Sequence, residues 1–153
     1  MRAVVQRVAS ASVTVGSRLV SEIGPGLLVF VGVEQSDGPE DAQYMARKIR
    51  DLRVFEGDGE EGPAQFHRSA HDISAPVLVV SQFTLAADCR RGRRPSFDRA
   101  ARPAEAKPLY EDVVRELRAG GLAVATGEFQ AMMQVALVND GPVTLLLDSR
   151  RAS

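Results

Sequence analysis

The sequence predicts an α+β fold in which mostly antiparallel β-sheets form a barrel-like, two-layer β core, with two main α-helices packed on one side. Most of the chain consists of short β-branched and apolar runs bounded by Gly, Pro, Ser and Asp, which is the pattern of strands and turns. Only two segments have the apolar period of an amphipathic helix, and strands are interleaved with them. The 153 residues, 44% hydrophobic and 25% charged, suit one domain over residues 1–153.

The first strands follow one another closely. Clustered valines predict a strand at residues 4–8, and the segment SVTV predicts another at 12–15. Gly16-Ser17 is a turn, from which residues 18–23 return as a strand. The segment LLVFVGV at 27–33 is almost wholly apolar and therefore indicates a buried central strand.

Two amphipathic helices are predicted in the rest of the chain. The first begins near Asp37-Gly38-Pro39 and has apolar residues three and four apart up to Leu52. The second covers residues 106–117 and stops at Gly120-Gly121. Further strands are predicted at 53–56, 77–83, 124–126, 131–138 and 143–147, with irregular stretches at 57–76 and 86–103.

Composition restricts the partners and the location. A net charge of −1 is unlike a generic nucleic-acid coat protein, so any RNA contact needs a local basic patch. The N-terminal residues lack an apolar signal region, and no run reaches the roughly 18 apolar residues of a membrane span. We therefore expect a cytoplasmic protein without a membrane partner. The single Cys89 excludes an internal disulfide and lacks a neighbouring base that would make it a nucleophile.

The segment SQFTL, residues 81–85, turns polar where an apolar strand should reach the surface. Ser81, Gln82 and Thr84 offer hydroxyl and amide groups, and backbone N–H groups beyond a strand end can hold an oxyanion. A strand terminus with ordinary polar capping would show the same pattern.

The segment NDGP, residues 139–142, interrupts two apolar runs. Asn-Asp-Gly alone would form an ordinary hairpin turn, whereas Pro142 removes a backbone donor and fixes φ. A cis bond between Gly141 and Pro142 would bring two carbonyl oxygens to one side, as an acceptor for an ammonium group. Such an acceptor would explain the presence of Pro142, but the sequence does not show whether the Gly141–Pro142 bond is cis or trans.

Many arginines fall within residues 89–102, where Gly92 and Pro95 prevent a regular helix. Guanidinium groups bind phosphate through two hydrogen bonds, and Phe97 offers a ring for stacking on a base. The segment is either a phosphate- or RNA-binding loop or a solvated loop. Its arginines are Arg90, Arg91, Arg93, Arg94, Arg99 and Arg102.

Other positions also allow two interpretations. His67 and His71 are four apart, but their flanks are loops, so we expect no metal site. Met132 and Met133 line either an adaptable pocket or the core. Arg7 either faces solvent from its strand or is buried against an acceptor such as a carbonyl.

Together these motifs resemble the D-aminoacyl-tRNA deacylases, also called D-tyrosyl-tRNA deacylases. The similarity runs from MRAVVQRV at the first residue to LLLDS at Ser149, with further markers in SASVTV, IGPGLLVFVGV, RRGRRPSF and TGEF. SQFTL and NDGPVT match the two signature motifs of that family in order and spacing. The resemblance implies hydrolysis of the ester between a D-amino acid and tRNA, and of mischarged glycyl-tRNA, without a cofactor.

The resemblance further implies a homodimer with active sites at the subunit interface. One subunit supplies the catalytic segment Ser81, Gln82, Phe83 and Thr84. Its partner inserts Gly141 and Pro142, whose bond is cis in the family and whose carbonyls hold the α-amino group and exclude L-aminoacyl groups. The remaining implied roles are bracing of that turn by Arg7, substrate contacts from Phe129 and Met133, and tRNA binding by Arg90, Arg91, Arg93 and Arg94.

The implied reaction is attack by water, assisted by the ribose 2′-hydroxyl of tRNA, with backbone N–H groups near Phe83 and Thr84 receiving the oxyanion. Thr84 as a nucleophile is the alternative mechanism, although no His or Lys base can be assigned to it. Two alternative functions are a catalytically silent RNA- or small-molecule-binding dimer and a Thr84-dependent hydrolase of other activated esters. No DNA partner is expected.

The sequence departs from the family pattern at Gln130 and Met132, where the family usually has Gly and Asp. Both signature motifs are intact, so these departures bear on substrate preference more than on activity.

Overall fold

The computed structural model describes residues 1–57 and 66–150. In chain order the elements are β1 (Arg2–Val15), β2 (Arg18–Ile23), β3 (Gly26–Gly32), α1 (Pro39–Asp51), β4 (Arg53–Phe55), β5 (Arg68–Ser69), α2 (Ala70–Ile73), β6 (Val77–Ser81), a 3₁₀ helix (Phe83–Ala86), α3 (Pro103–Ala119), β7 (Val124–Thr126) and β8 (Met133–Asp148).

One mixed sheet forms the centre of the molecule. Its strands follow the order β2-β1-β3-β6-β7, and β8 also pairs with β1. The pairs that involve β1 are antiparallel, whereas β3, β6 and β7 run parallel. The segments containing α1 and α3 connect these parallel strands, which need crossovers of that length. Because β2 also contacts β6 and β7, the sheet curls almost into a barrel, and the predicted α+β class is confirmed.

Two apolar clusters make up the core. The first lies between strands of the curled sheet and includes Val8, Val13, Leu28, Leu78 and Val80. The second lies between the sheet and the long helices, and α1 and α3 both contribute to it. The buried positions alternate along β1, as expected for a strand with distinct faces. The two-layer core with both main helices on one side was therefore predicted correctly.

Several predicted boundaries were wrong. The strands expected at 4–8 and 12–15 are one strand, β1, and those expected at 131–138 and 143–147 are one strand, β8. The stretch 57–76 was expected to be irregular, but it contains β5 and α2; residues 58–65 lie outside the described residues. Strand β6 ends at Ser81 rather than at residue 83, because the chain enters the 3₁₀ helix.

A polar network holds both ends of the described chain against the start of α1. The Met1 ammonium group donates to Asp37 Oδ1 at 2.7 Å and to Ser149 Oγ at 3.0 Å. Burial alone would raise the pKa of Asp41, but hydrogen bonds from Ser149 and from the Gly38 N–H, with nearby positive charges, lower it overall. Within residues 1–57 and 66–150, no helix combines the length and the apolar character needed to cross a membrane.

Candidate active site

The parallel strands end side by side at one edge of the sheet. Val31 of β3 pairs with Ser81 of β6, and Val79 of β6 pairs with Thr126 of β7. SQFTL follows β6 directly, and the segment GEF, residues 127–129, follows β7. The carboxyl ends of parallel strands are a frequent location of binding sites. Two of the sequence markers are therefore neighbours in space.

SQFTL forms a tight polar corner at this edge. The Gln82 N–H donates to Val31 O at 2.8 Å, and the chain then turns into the 3₁₀ helix. The Gln82 side-chain amide donates to the Thr84 hydroxyl oxygen. Phe83 is 57% exposed. Among the described residues, no acceptor is found for the N–H groups of Phe83 and Thr84, the first two residues of the 3₁₀ helix.

Gly32 allows this corner to lie against β3. A Cβ atom at position 32 would lie 2.8 Å from Leu85 Cβ and 2.9 Å from Gln82 O, so any side chain would displace SQFTL. Gly32 was not among the predicted site residues. The available signal was a glycine inside an otherwise apolar strand, which often marks a close backbone approach.

NDGP is a bulge within one strand, not a hairpin. Gln6 of β1 pairs with Thr144 of β8, and the next pair is Val8 with Asn139. Between these two pairs the chain covers two residues in β1 but five in β8. The Asn139 side-chain amide closes the base of the bulge, since its nitrogen donates to Arg7 O at 2.9 Å and to Val143 O at 3.0 Å. Residues 140–142 are thereby displaced from the ladder.

Arg7 fills the space beneath the bulge. Its side chain is buried, and its guanidinium group donates to Asp140 O at 3.1 Å and to Val54 O at 2.6 Å. Gly141 has a φ of +114°, and a Cβ there would lie 2.0 Å from Arg7 Nη2. Arg7 is therefore buried against carbonyl acceptors, as in the second of its two interpretations, and does not face solvent. Position 141 therefore requires glycine for its conformation and for the proximity of Arg7.

The Gly141–Pro142 bond is trans, because the described residues contain no cis peptide bond. The cis geometry expected from the family resemblance is thus corrected. The chain bends here without a cis bond, through the positive φ of Gly141 and the two hydrogen bonds of the Asn139 side chain. The trans isomer is also the ground state of most X–Pro bonds, by about 0.5–1 kcal/mol.

Phe129 and Met133 follow β7, the strand that pairs with β6. The Phe129 ring is half-buried and stacks on Tyr110, with ring centroids 6.0 Å apart. Met133 packs on the apolar cluster inside the curled sheet. Met132 is 92% exposed, so it lines neither the core nor a pocket of this chain. Gln130 has a φ of +64°, a conformation that explains why a glycine suits this position.

The arginine-rich loop adjoins SQFTL. Phe97 contacts Phe83 edge to face, with centroids 5.2 Å apart. The Arg90 side chain and N–H bond to Asp88, and these bonds hold the pKa of that carboxyl well below its usual range. Arg90 is thus paired within the loop. Three further arginines, which are exposed, are Arg91, Arg93 and Arg94.

The two signature motifs are far apart within one chain. Strands β1 and β3 separate β8 from β6, so the motifs are three strand spacings or about 14 Å apart across the sheet. The motifs are also offset along the strands. Arg7, beneath the bulge, is level with Leu27 and Val77, and Val77 is four residues before Ser81. Four residues of a strand correspond to about 13 Å. The combined separation along the sheet is about 20 Å. The two motifs are therefore not neighbours along the sheet of one chain.

No group of three His, Cys, Asp or Glu side chains with metal-binding geometry occurs in the part of the chain that the structure describes. Cys89 is exposed in the arginine-rich loop.

Comparison with known proteins agrees with the motifs. Residues 4–148 match the family model described as D-Tyr-tRNA(Tyr) deacylase. A D-aminoacyl-tRNA deacylase of Syntrophotalea carbinolica is 59% identical over 99% of both chains. One of Symbiobacterium thermophilum is 56% identical, covering 99% of this chain and 97% of the relative.

Solved structures show the same fold. One described as a c-Myc DNA unwinding element binding protein has a TM-score of 0.89 and 40% identity, with 97% of this chain and 98% of the other covered. One described as a probable eukaryotic D-amino acid tRNA deacylase has a TM-score of 0.81 at 16% identity, with 95% and 97% covered, a likeness of fold alone. With its two signature motifs placed as described above, the chain belongs to the D-Tyr-tRNA(Tyr) deacylase family.

Proposed function

We propose that the protein is a D-aminoacyl-tRNA deacylase, which hydrolyses the ester between a D-amino acid and the terminal ribose of tRNA. The observation that carries the proposal is the pair of acceptor-free N–H groups of Phe83 and Thr84 at an exposed corner, in a chain of this family. Glycyl-tRNA is a second substrate, because glycine has no side chain in either hand.

The proposed chemistry needs little from protein side chains. An aminoacyl ester is activated, and the attack of water places negative charge on its carbonyl oxygen. The two backbone N–H groups stabilise that oxyanion. The Thr84 hydroxyl accepts a hydrogen bond from Gln82, and the described residues place no His or Lys base beside it. The ribose 2′-hydroxyl therefore assists the water, and Thr84 is not the nucleophile.

A second copy of the chain completes the site. The two motifs are about 20 Å apart along one sheet, so a bulge that touches the substrate must come from another subunit. The outer edge of β8 pairs with no strand among the described residues, and it carries the exposed side chains of Val138 and Leu146. A long apolar edge invites pairing with another chain. We propose a homodimer in which this surface faces the partner.

In this dimer, the bulge discriminates between D- and L-aminoacyl groups by a steric clash. Gly141 and Pro142 are held by Arg7 and Asn139, so the turn cannot yield to a side chain directed at it. In the proposed complex, an L side chain meets this rigid turn, whereas a D side chain points away from it. Selectivity arises from a clash with the wrong substrate rather than from tighter binding of the right one.

The exposed arginines hold the tRNA. Arg91, Arg93 and Arg94 lie in a loop whose Phe97 contacts Phe83, so phosphates of the acceptor end can be bound next to the ester. Arg90 makes a smaller contribution, because Asp88 already pairs with it.

A second candidate is a nucleic-acid- or small-molecule-binding dimer without catalysis. It is favoured by the similarity to the structure described as a DNA unwinding element binding protein. It assigns no role to the N–H groups of Phe83 and Thr84 beside the exposed Phe83 ring.

The test is to incubate the purified protein with matched D- and L-aminoacyl-tRNA and to measure ester loss. The proposal expects rapid loss of the D ester and slow loss of the L ester. Equal rates would reject discrimination by the bulge, and stability of both esters would favour the binding protein. Thr84→Ala should retain substantial activity, and an inactive variant that is still a folded dimer would restore Thr84 as the nucleophile.

A further inference from the structure

We propose that Asp88 limits the affinity of the arginine-rich loop for tRNA, because its carboxylate occupies one phosphate-binding edge of Arg90 and places a negative charge among the arginines. The proposal rests on the proposed function, in which this loop holds the acceptor end of tRNA. The catalytic step itself assigns no role to Asp88.

The loop contains an open cleft of about 480 Å³, which is ample room for a backbone phosphate. The cleft is lined by one carboxylate, one serine and three arginines, which are Asp88, Ser96, Arg90, Arg91 and Arg94. Guanidinium groups around a concave surface are a typical recognition element for the phosphates of nucleic acids. The cleft also adjoins SQFTL, since Ser96 precedes Phe97, whose ring contacts Phe83. Asp88 therefore lies inside the part of the loop that can surround a phosphate.

Asp88 binds Arg90 in the geometry that a phosphate would use. Its Oδ1 accepts from Arg90 Nε at 2.9 Å, and its Oδ2 accepts from Arg90 Nη2 at 2.7 Å. Two parallel donors of this kind form an edge with which arginine binds carboxylate and phosphate alike. One such edge of Arg90 is therefore occupied, and the adjacent negative charge weakens the attraction of the remaining donors for a phosphate.

The closure of the loop does not depend on the charge of this carboxylate. The Asp88 N–H donates to Ser96 O at 2.7 Å, and the Ser96 N–H donates to Asp88 O at 2.9 Å. The carboxylate adds a bond from the Arg90 N–H at 3.0 Å, and the side-chain oxygen of an asparagine accepts the same kind of bond. An uncharged side chain at position 88 is thus compatible with the shape of the loop. The negative charge acts instead on the ligand of the cleft.

The carboxylate is present as a charged group at neutral pH. Hydrogen bonds from the Arg90 side chain and N–H hold the pKa of Asp88 well below its usual range. The cleft consequently combines three positive charges with one negative charge. An enzyme that acts on the acceptor end must release the tRNA after hydrolysis, and product release often limits turnover. A moderate affinity, set by Asp88, favours that release.

The test is Asp88→Asn, which keeps an acceptor for the Arg90 N–H and removes the charge. The Kd for uncharged tRNA is measured by fluorescence anisotropy at about 0.1 M salt, where surface charges still interact. We expect the Kd to fall by about fivefold, the upper range for an exposed ion pair. The slope of log affinity against log salt should steepen by about 0.7–0.9, the value of one added phosphate contact.

The matched control is Asp98→Asn. Asp98 is exposed in the same segment but does not line the cleft, so its replacement removes the same charge from the molecule without freeing Arg90. It should change the Kd by less than about twofold.

A double-mutant cycle separates competition for Arg90 from a general change in charge. Arg90→Gln should change the Kd of the parent by less than about twofold, because one of its edges is already occupied, but should raise the Kd of Asp88→Asn by about fivefold. Equal effects of Arg90→Gln in both backgrounds would overturn the proposal. Asp88→Asn binding no more tightly than Asp98→Asn would do the same. Weaker binding by Asp88→Asn at an unchanged Tm would also overturn it, since the ion pair would then be part of the binding site.

These measurements do not depend on catalysis. A parent protein that binds uncharged tRNA but hydrolyses no D-aminoacyl-tRNA would overturn the proposed function, and the cycle would still decide the role of Asp88. A parent protein that binds no tRNA would overturn the proposal for Asp88.

Discussion

Replacement of Gly141 by alanine tests whether the bulge is a rigid device. Two features of the structure oppose any side chain at this position. The φ of +114° is rarely adopted by an L residue, and the new Cβ would lie 2.0 Å from Arg7 Nη2. Arg7 is not free to retreat, because its guanidinium group is buried and donates to both Asp140 O and Val54 O.

The cost can be worked out from these two terms. A non-glycine residue in such a conformation costs about 1–3 kcal/mol. Loss of a hydrogen bond from a charged donor adds about 1.5–3 kcal/mol. A total of about 2.5–6 kcal/mol corresponds to a fall in Tm of roughly 5–24 °C for a chain of this size. The bulge should also shift, so that the ratio of D- to L-ester cleavage falls by about tenfold, equivalent to ~1.4 kcal/mol of lost discrimination.

Gly16→Ala is the matched control, because Gly16 also has a positive φ, +60°, but nothing lies within 4 Å of the position that its Cβ atom would take. It should cost only about 1–2 kcal/mol and leave selectivity unchanged. Thermal unfolding and paired D- and L-aminoacyl-tRNA assays measure both effects. Equal shifts in Tm for the two variants, with unchanged selectivity at position 141, would refute the argument that Arg7 and Gly141 together fix the bulge.

Three further substitutions test local geometry and charge. Gln130→Gly should raise stability by about 0.5–1 kcal/mol in urea unfolding, because it relieves a positive φ, whereas Gln43→Gly on the exposed face of α1 should lower it by about 1 kcal/mol. The pKa of Asp41 is lower in the folded protein than its ordinary value of 3.8. The carboxylate therefore contributes its full stabilisation above pH 3.8, and this stabilisation is lost as the pH falls through the folded pKa. Melting temperatures of Asp41→Asn should accordingly depend less on pH in the acid range than those of the parent protein. Arg94→Ala should reduce the slope of log affinity for tRNA against log salt by about 0.7–0.9, whereas Arg90→Ala should change it less because Arg90 is paired in the loop; equal slopes would contradict this difference.

The elements that local pattern determines were predicted well. β2 was predicted at its observed bounds, since a Gly-Ser turn and a Gly-Pro-Gly break enclose it. The apolar period predicted α1 and α3 because each has one buried face. The division of β1 into two strands was wrong, because Ala9 and Ser10 interrupt the valine pattern while pairing with β8 continues past them. Pairing partners are distant in sequence and leave no local signal.

In the site, too, local patterns were predicted, whereas contacts between distant segments were not. SQFTL and the arginine-rich loop are local patterns, and both were found in the sequence. Their proximity was not, because it depends on the contact between Phe83 and Phe97. The role of Asn139 was also missed, since its side chain reaches the carbonyls of Arg7 on another strand and of Val143 across the bulge. A residue type alone does not indicate which carbonyl it will reach.

The energetics of NDGP support the proposal that the bulge acts beyond its own sheet. A plain continuation of β8 would keep its ladder to β1, and no arginine would have to be buried beneath it. Burial of a guanidinium group is unfavourable unless its donors are satisfied, and here two carbonyls and a glycine are arranged for that purpose. The result stabilises residues 140–142, which lie about 20 Å along the sheet from SQFTL of the same chain. A rigid protrusion supported at this cost, about 20 Å from the polar corner along the sheet, fits the proposed homodimer, in which a second copy of the chain provides the corner that it lacks.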